Sequence, residues 1–390
     1  MCPPSDPPPV AIRHRDARDV ATPADGRELT IYWHHDWPVG QRWAPPAPAL
    51  APAIDPDILA RASEGIALEA DGRRPDGRRI TVVICTRDRA DALRACLASL
   101  PAQTRRPDQV VVVDNASRDD GATCAAARDA GADYVREDRP GLDIARNRGI
   151  AAATGDLIAF TDDDVRLHPR WLERLGAAFD APAVMAVTGL VLPAALETPA
   201  QLHFERHWGF GRGYRPIDYG AAFFAADRDH GCPVWQIGAG ASMAFRREVF
   251  DRVGGFDERL DVGAAGCSGD SELWHRVLTQ GYVCRYEPAA VAFHTHRRDE
   301  AALARQIRAY MRGHAAALLV QYERSGHRGN LRRALATMPA WYVRRCAGRL
   351  LRGPNERDRL LRDEIGGYLA GLLFYVRTPR PHPRGTGGVR

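Results

Sequence analysis

The chain contains no lysine; its 54 basic residues are all arginine. We read this as the base composition of a G+C-rich coding sequence, without chemical meaning. Its eight cysteines, at positions 2, 85, 96, 124, 232, 267, 284 and 346, include no CxxC pair. That spacing excludes a zinc pattern and a compact disulfide framework, and it fits a reducing compartment. No apolar segment follows the proline-rich start Met1–Pro9, so no secretory signal is expected. The longest late apolar run, Tyr368–Val376, is too short to span a bilayer. No GxGxxG follows the first strand of the regular region, which excludes the usual dinucleotide fingerprint. What is present is a globular composition, 45% hydrophobic and 26% charged over 390 residues, enough for one large domain with appendages or for two domains. The net charge of +5 is unevenly placed. From Arg297 onward there are 20 Arg against 7 acidic residues, a net +13 that leaves −8 for the first 296 residues.

Residues 1–78 are rich in Pro, Ala and charge, with Leu29–Trp33 reading as a short strand and Ala44–Pro56 as an extended linker. Strand and helix then alternate regularly. Ile80–Cys85, Val110–Val113, Tyr134–Val135 and Leu157–Phe160 read as strands, and Ala90–Leu100, Ala122–Ala130 and Gly141–Ala153 as helices. Strands separated by helices of this length imply a parallel sheet with right-handed crossovers, an α/β fold. The stretch 185–300 is more irregular and aromatic, and the chain beyond Glu300 is helical and Arg-rich. The expected organisation is an extension over 1–78, a catalytic domain over 79–300 with halves meeting at 184/185, and a helical region over 301–390.

The run Thr154–Val165 carries the strongest chemical signal. An apolar strand, Leu157–Phe160, ends in Asp162-Asp163-Asp164. Three adjacent carboxylates repel one another unless a cation lies among them, and an oxygen-rich cluster suits Mg²⁺ or Mn²⁺. At the carboxyl end of a strand in an α/β sheet a ligand is expected, here most naturally a diphosphate. The alternative is an acidic loop ahead of the helix that Trp171 opens. The first two strands end in Thr86-Arg87-Asp88-Arg89 and Asp114-Asn115-Ala116-Ser117, beside the same crevice. There Asp114 could accept from a ribose hydroxyl or a base N–H, or merely close an Asx turn. Arg146 and Asn147 could meet a phosphate or sugar, or lie on a solvated face with an Arg–Asp pair.

Taken in order, Ile80–Arg89, Val110–Ser117, Gly141–Gly149, Phe160–Val165, Gly238–Arg247, Val253–Glu258 and Gly269–Arg276 resemble the family 2 glycosyltransferases of the GT-A fold, a Rossmann-like, mostly parallel sheet sandwiched by helices. The resemblance covers about residues 80–300. It implies metal-dependent transfer of a sugar from a nucleotide-sugar to a hydroxyl, with inversion. It makes Asp162–Asp164 the DxD element, with Asp164 on a divalent Mn²⁺ or Mg²⁺, Asp162 assisting, and Asp163 facing the ribose or sugar. Thr86, Arg87 and Asp114 fall at the nucleoside pocket. The family usually carries Gly-Glu-Asp-x-Asp/Glu-Leu where this chain has Ser268-Gly269-Asp270-Ser271-Glu272-Leu273, so Gly269 stands where Glu is common. Asp270 aligns with the catalytic base, and a one-residue shift makes it Glu272. His294, with His296 second to it, falls where related enzymes complete the metal or diphosphate site.

Two further segments invite a role. Gln201–Tyr214 reads as an aromatic, Gly-rich lid over the sugar, or a core-covering loop, with Trp235 a second acceptor contact. In 301–390, Trp341, Tyr342, Leu350, Leu351, Leu360 and Leu361 interleave with arginines. That pattern suits an interfacial helix on an anionic leaflet or, slightly better, a helical subdomain with an Arg-rich exterior. No nucleic-acid motif accompanies it, so DNA and RNA are not expected partners. A carbohydrate or lipid-linked acceptor in cell-envelope assembly and a cytoplasmic location, with a peripheral contact at the inner face of the membrane, follow as family expectations; natural-product glycosylation is the alternative. The glycine-free loop Thr86–Arg89 argues against a nucleotidyltransferase, and the intact acids argue against a degenerate scaffold.

Overall fold

The computed structural model describes residues 9–17, 28–44, 77–353 and 355–378. The expected linker, from residue 45 on, lies outside them. Two sheets are present. The larger has nine strands in the order β10-β12-β9-β11-β7-β4-β5-β6, with β8 paired to β12 off that path. Its strands are β4 (Ile80–Thr86), β5 (Gln109–Asn115), β6 (Asp133–Glu137), β7 (Leu157–Asp162), β8 (Val165–Leu167), β9 (Val184–Pro193), β10 (Ile217–Tyr219), β11 (Ser242–Arg246) and β12 (Val283–His294). From β6 to β7 all neighbours are parallel. Runs such as Val82-Val83-Ile84 and Val111-Val112-Val113 are buried on both faces, as a helix-covered parallel sheet requires. Each such side chain contributes about 1.5–3 kcal/mol by its burial.

Beyond β7 the expected parallel pattern gives way. β11 runs antiparallel to both β7 and β9, and β8 and β10 run antiparallel to β12. The sheet is therefore mixed, a change the irregular sequence after 185 did not specify. β8 also intervenes between the acidic run and the next helix, α4 (Trp171–Ala177), so the three acids do not cap a helix.

Helices α1 (Ala90–Leu97), α2 (Asp120–Asp129) and α3 (Leu142–Ala152) cover the parallel half. In the other half lie α5 (Pro199–Trp208), α6 (Ala221–Ala226), α7 (Glu248–Val253) and α8 (Gly269–Thr279). The expected lid Gln201–Tyr214 is instead mostly α5, opened by a capping box of Thr198 and Gln201 with Pro199 in its first turn, and only its end is loop. α9 (Glu300–Ser325), capped by Asp299, packs against α5 and α8. α10 (Arg328–Arg332), a π turn at Arg333–Thr337, α11 (Met338–Arg352) and α12 (Leu361–Arg377) follow among the described residues. α12 lies close against α9 because Gly367 and Gly371 face the Arg308 and Arg312 carbonyls, where a Cβ would collide.

The smaller sheet, β1 (Ala11–Asp16), β2 (Glu28–His34) and β3 (Trp37–Ala44), contains the strand expected near Leu29–Trp33. It is docked against both halves of the domain. Trp33 stacks on His168 at 5.2 Å, the Arg174 guanidinium lies 4.3 Å over Trp37, and the Tyr214 hydroxyl donates to Gln41 at 2.8 Å.

Candidate active site

The carboxyl ends of β4, β5 and β7, the N-termini of α3 and α8, the end of β12 and the C-terminal helices surround one cavity of about 1350 Å³. The loops after β4 and β5 are tied to each other: Asp88 N–H donates to Ser117 Oγ at 2.9 Å, and Arg118 N–H to Asp88 Oδ1 at 2.7 Å. Asp88, Ala116 and, at the head of α8, Ser268 hold positive φ without being glycine, strain of the kind that collects at functional sites.

The acidic run divides its labour. Asp163 is buried and braced by Thr86 Oγ1 at 2.7 Å and Arg89 at 2.6 Å. The other arm of Arg89 reaches Asp164 Oδ2 at 2.9 Å. Among the described residues the Asp162 carboxylate pairs only with the distant Arg146, at 3.9 Å. Withdrawal from water raises the Asp162 carboxyl to about 7; Arg146 opposes this and the neighbouring acids reinforce it. Burial raises Asp163 to about 6 against the pull of Arg89. For Asp164 burial is outweighed by His294, Arg89 and Arg297, and its carboxyl stays below the usual range.

His294 ends β12 with Nε2 3.4 Å from Asp164 Oδ1. Its Nδ1 lies 2.8 Å from Nδ1 of His296, whose Nε2 lies 3.0 Å from Glu205 Oε2. A carboxylate only accepts, so Glu205 calls for the proton on His296 Nε2. His296 Nδ1 is then an acceptor, which calls for the proton on His294 Nδ1. The His294 Nε2 lone pair is left facing Asp164, two acceptors turned toward one point. Burial lowers the His294 pKa to about 4, so near neutral pH no ring proton fills that space. An oxygen of Asp164 and a neutral imidazole facing each other are the kind of donor pair that suits Mn²⁺ or Mg²⁺, and His296 and Glu205 fix the imidazole from behind.

Asp270, in the first turn of α8, lines the cavity. Its Oδ2 accepts from Gly240 N–H at 3.0 Å and its Oδ1 from Ser271 N–H at 2.7 Å. A Cβ on Gly240 would crowd both Asp270 and Arg146. Gly269, where the family commonly has Glu, has a physical reason: a Cβ there would strike the Asp143 carboxylate. Asp143 accepts from Arg146 at 3.0 Å, and its burial raises it to about 7. Arg146 is buried, lines the cavity and lies over the Phe256 ring at 5.3 Å, so it is not on a solvated face.

Three expected site residues lie elsewhere. Glu272 is fully buried, holds Arg276 through both oxygens at 2.7–2.9 Å and does not line the cavity, which leaves Asp270 as the base candidate. The side chain of Asn147 is spent on the Phe256 backbone, donating to its carbonyl and accepting from its N–H. Asp114 is wholly buried beneath Ser117 N–H, the Tyr134 hydroxyl and Arg136, closing the turn after β5; its neighbour Asn115 lines the cavity instead. Thr86 and Arg87 line it as expected. Sequence reasoning missed Arg89, Asp143 and Glu205. It also missed Asp261, which accepts from the Asp143 and Ile144 N–H groups at the head of α3, at 2.8 and 3.0 Å. An acidic residue aimed at a helix start gives no local signal from 118 residues away.

The far end of the cavity is aromatic and cationic. Trp235 lies beneath the Arg333 guanidinium at 4.2 Å and edge-on to His314 at 5.0 Å, and Trp341 lies beneath Arg345 at 4.6 Å. Trp208, Tyr310 and Met338 complete that wall.

The family model described as Glycosyl transferase family 2 matches residues 81–254. Among curated relatives, the Pre-mycofactocin glycosyltransferase of Mycobacterium tuberculosis is 32% identical over 262 residues, covering 64% of this chain and 49% of that protein. The O-antigen biosynthesis protein RfbC of Myxococcus xanthus is 29% identical over 216 residues, covering 52% of this chain and 16% of that protein. The chain thus spans about half the length, or less, of these relatives. Among solved structures, a mannosyltransferase from Pyrobaculum calidifontis in complex with GDP-Man and Mn²⁺ superposes with a TM-score of 0.50 at 21% identity, covering 77% of this chain and 87% of that one; at that identity the likeness shows the fold. The matched segment, residues 81–254, carries the strand ends that build the cavity and is similar to glycosyl transferase family 2, and the sheet has the GT-A architecture.

Proposed function

We propose that this protein is a metal-dependent, inverting glycosyltransferase that moves a sugar from a nucleotide-sugar to a hydroxyl acceptor. The observation that carries the reading is the meeting of Asp164, the His294 lone pair and Asp270 in one cavity. A divalent ion held by Asp164, His294 and Asp162 would supply Lewis-acid neutralisation of the departing diphosphate. Arg87 and Arg297 line the same cavity and offer guanidinium groups to phosphate oxygens. Asp270, held by the Gly240 and Ser271 N–H groups, takes the proton of the acceptor hydroxyl as its oxygen attacks the anomeric carbon from the face opposite the nucleotide. Asp163 serves as a brace for Arg89 and Thr86.

The test is calorimetric titration of a nucleotide-sugar panel with Mn²⁺ and with EDTA, followed by turnover. Metal-dependent binding of one donor, lost in Asp164→Ala, is expected. Asp270→Asn should keep donor binding and lower turnover by a factor of about 10²–10⁴. Unchanged turnover in both variants sinks the proposal.

For the acceptor we propose a cell-envelope saccharide or glycolipid. Support comes from the O-antigen relative and from an exposed apolar row on α11: Val343 at 68%, Leu350 at 87% and Leu351 at 85% exposure, flanked by Arg344 and Arg352. That row suits an anionic lipid surface. Tyr342, Leu360 and Leu361 are buried, so only part of the interleaved sequence faces outward. Binding of the full chain to anionic but not neutral vesicles, lost in Leu350→Ser/Leu351→Ser, is the expected result; equal binding of the variant rules the surface out.

A further inference from the structure

We infer that His203, His207 and Glu356 form a second metal site, distinct from the Asp164 centre and suited to Zn²⁺. His203 and His207 are four residues apart on α5, one turn above the other on the same helix face, a spacing that lets two imidazoles share one ion. Glu356 comes from the turn that precedes α12, 149 residues after His207 in the chain. One ligand atom from each of the three lies within 4.8 Å of the other two.

The second observation is an unmet need. His203 is 2% exposed, yet neither of its ring nitrogens has a hydrogen-bond partner, and Nε2 of His207 is buried without one as well. Buried polar groups in folded proteins are almost always paired, so three orphaned imidazole nitrogens in one cluster point to a missing partner. The charge around the two rings sets Glu356 against the guanidinium groups of Arg206, Arg345, Arg357 and Arg359.

The donor set decides the class of ion. Two imidazoles and one carboxylate suit Zn²⁺ and its neighbours Co²⁺ and Ni²⁺, whereas Mg²⁺ takes oxygen. Bonds of about 2.0–2.2 Å in a tetrahedral site put ligand atoms roughly 3.3 Å apart, so the three must draw together and Glu356 must leave Arg206, now 3.8 Å away. Glu356 is more than half exposed and free to swing. Three protein ligands leave a fourth position for water. His207 also lines the cavity, so the ion lies at the rim of its aromatic end and fastens α5 to the turn before α12. The site does not depend on the transferase reading.

The test uses the full chain stripped of metal and titrated with Zn²⁺ against a chromophoric chelator, in excess Mg²⁺ to occupy the Asp164 centre. One tightly held equivalent of Zn²⁺ is expected, retained in Asp164→Asn and weakened at least tenfold in His207→Gln and in Glu356→Gln. Co²⁺ in place of Zn²⁺ should give the intense visible bands of a four-coordinate ion, absent in the same two variants. Zn²⁺ binding that disappears in Asp164→Asn, or that is equal in wild type, His207→Gln and Glu356→Gln, overturns the proposal.

Discussion

Glu205 does not line the cavity and touches none of Asp162, Asp164 and His294, yet its removal should be felt at the proposed metal centre. It is linked to His294 only through His296, across contacts of 3.0 and 2.8 Å. Its side chain is 8% exposed and that of His296 2%, so water cannot replace the lost acceptor. In Glu205→Ala the His296 ring is free to take its other tautomer, and the His294 lone pair is no longer fixed toward Asp164. Loss of such an outer partner typically weakens metal binding by about 10–100-fold, which is about 1.4–2.7 kcal/mol. The broken charged hydrogen bond should itself cost about 1.5–3 kcal/mol of folding stability. Free Mn²⁺ measured by electron paramagnetic resonance gives the first quantity, and urea denaturation of metal-free protein the second. Glu205→Gln, which keeps an accepting oxygen, should recover much of the affinity. A variant Glu205→Ala that loses stability but binds Mn²⁺ like wild type refutes the relay and leaves Glu205 a packing residue.

Other outcomes follow from the same geometry. Glu272→Gln should cost about 3–5 kcal/mol of stability by stranding the buried Arg276; denaturation midpoints check it, and a near-neutral effect contradicts the structural role assigned here. Gly269→Ala should destabilise by about 1–3 kcal/mol through overpacking against Asp143, and Asp143→Ala in the same chain should relieve most of that loss. Burial raises Asp143 from 3.8 to about 7, so its contribution to stability is complete below about pH 3.8 and is lost as pH rises through about 7. The difference in stability between pH 5 and pH 8 should therefore shrink in Asp143→Asn, and an unchanged difference would mean that the carboxyl is not buried in this way.

The parallel half of the fold was legible because its strands are unbroken apolar runs and each ends abruptly in polar residues. Val110–Val113 and Leu157–Phe160 announce both their burial and the edge of the crevice. The same reasoning led to Asp162 and Asp164, and the helix start at Gly141 led to Arg146; Asp270 came from the family resemblance, and all four line the cavity. Asn147 was placed at the crevice beside Arg146, Asp114 by its position at the end of β5, and Glu272 by a one-residue shift in the resemblance; none of the three lines the cavity. A helix turns each successive residue by about 100°, so Asn147 faces Phe256 while Arg146 faces the cavity, and Glu272 points into the core two positions after Asp270. The mixed half was not legible, since β9 is buried along its whole length and β12 alternates only over residues 283–287 before it too is fully buried, and neither pattern sets strand direction. Nor could composition show that part of the Arg-rich tail roofs the cavity.

That roof has a consequence for how such a protein can diversify. The acid-rich floor is built from strand ends before residue 165 and the first turn of α8, locked by Asn147, Arg276 and Asp261 into a frame that tolerates little change. Much of the opposite wall, from Tyr310 to Trp341, comes from helices later in the chain that meet the floor across open space. Mutations there can reshape what enters from one side without disturbing what is held on the other. Descendants of one ancestral chain could thus trade acceptors while keeping their donor, and chimeras joined near residue 300 offer a route to do the same by hand.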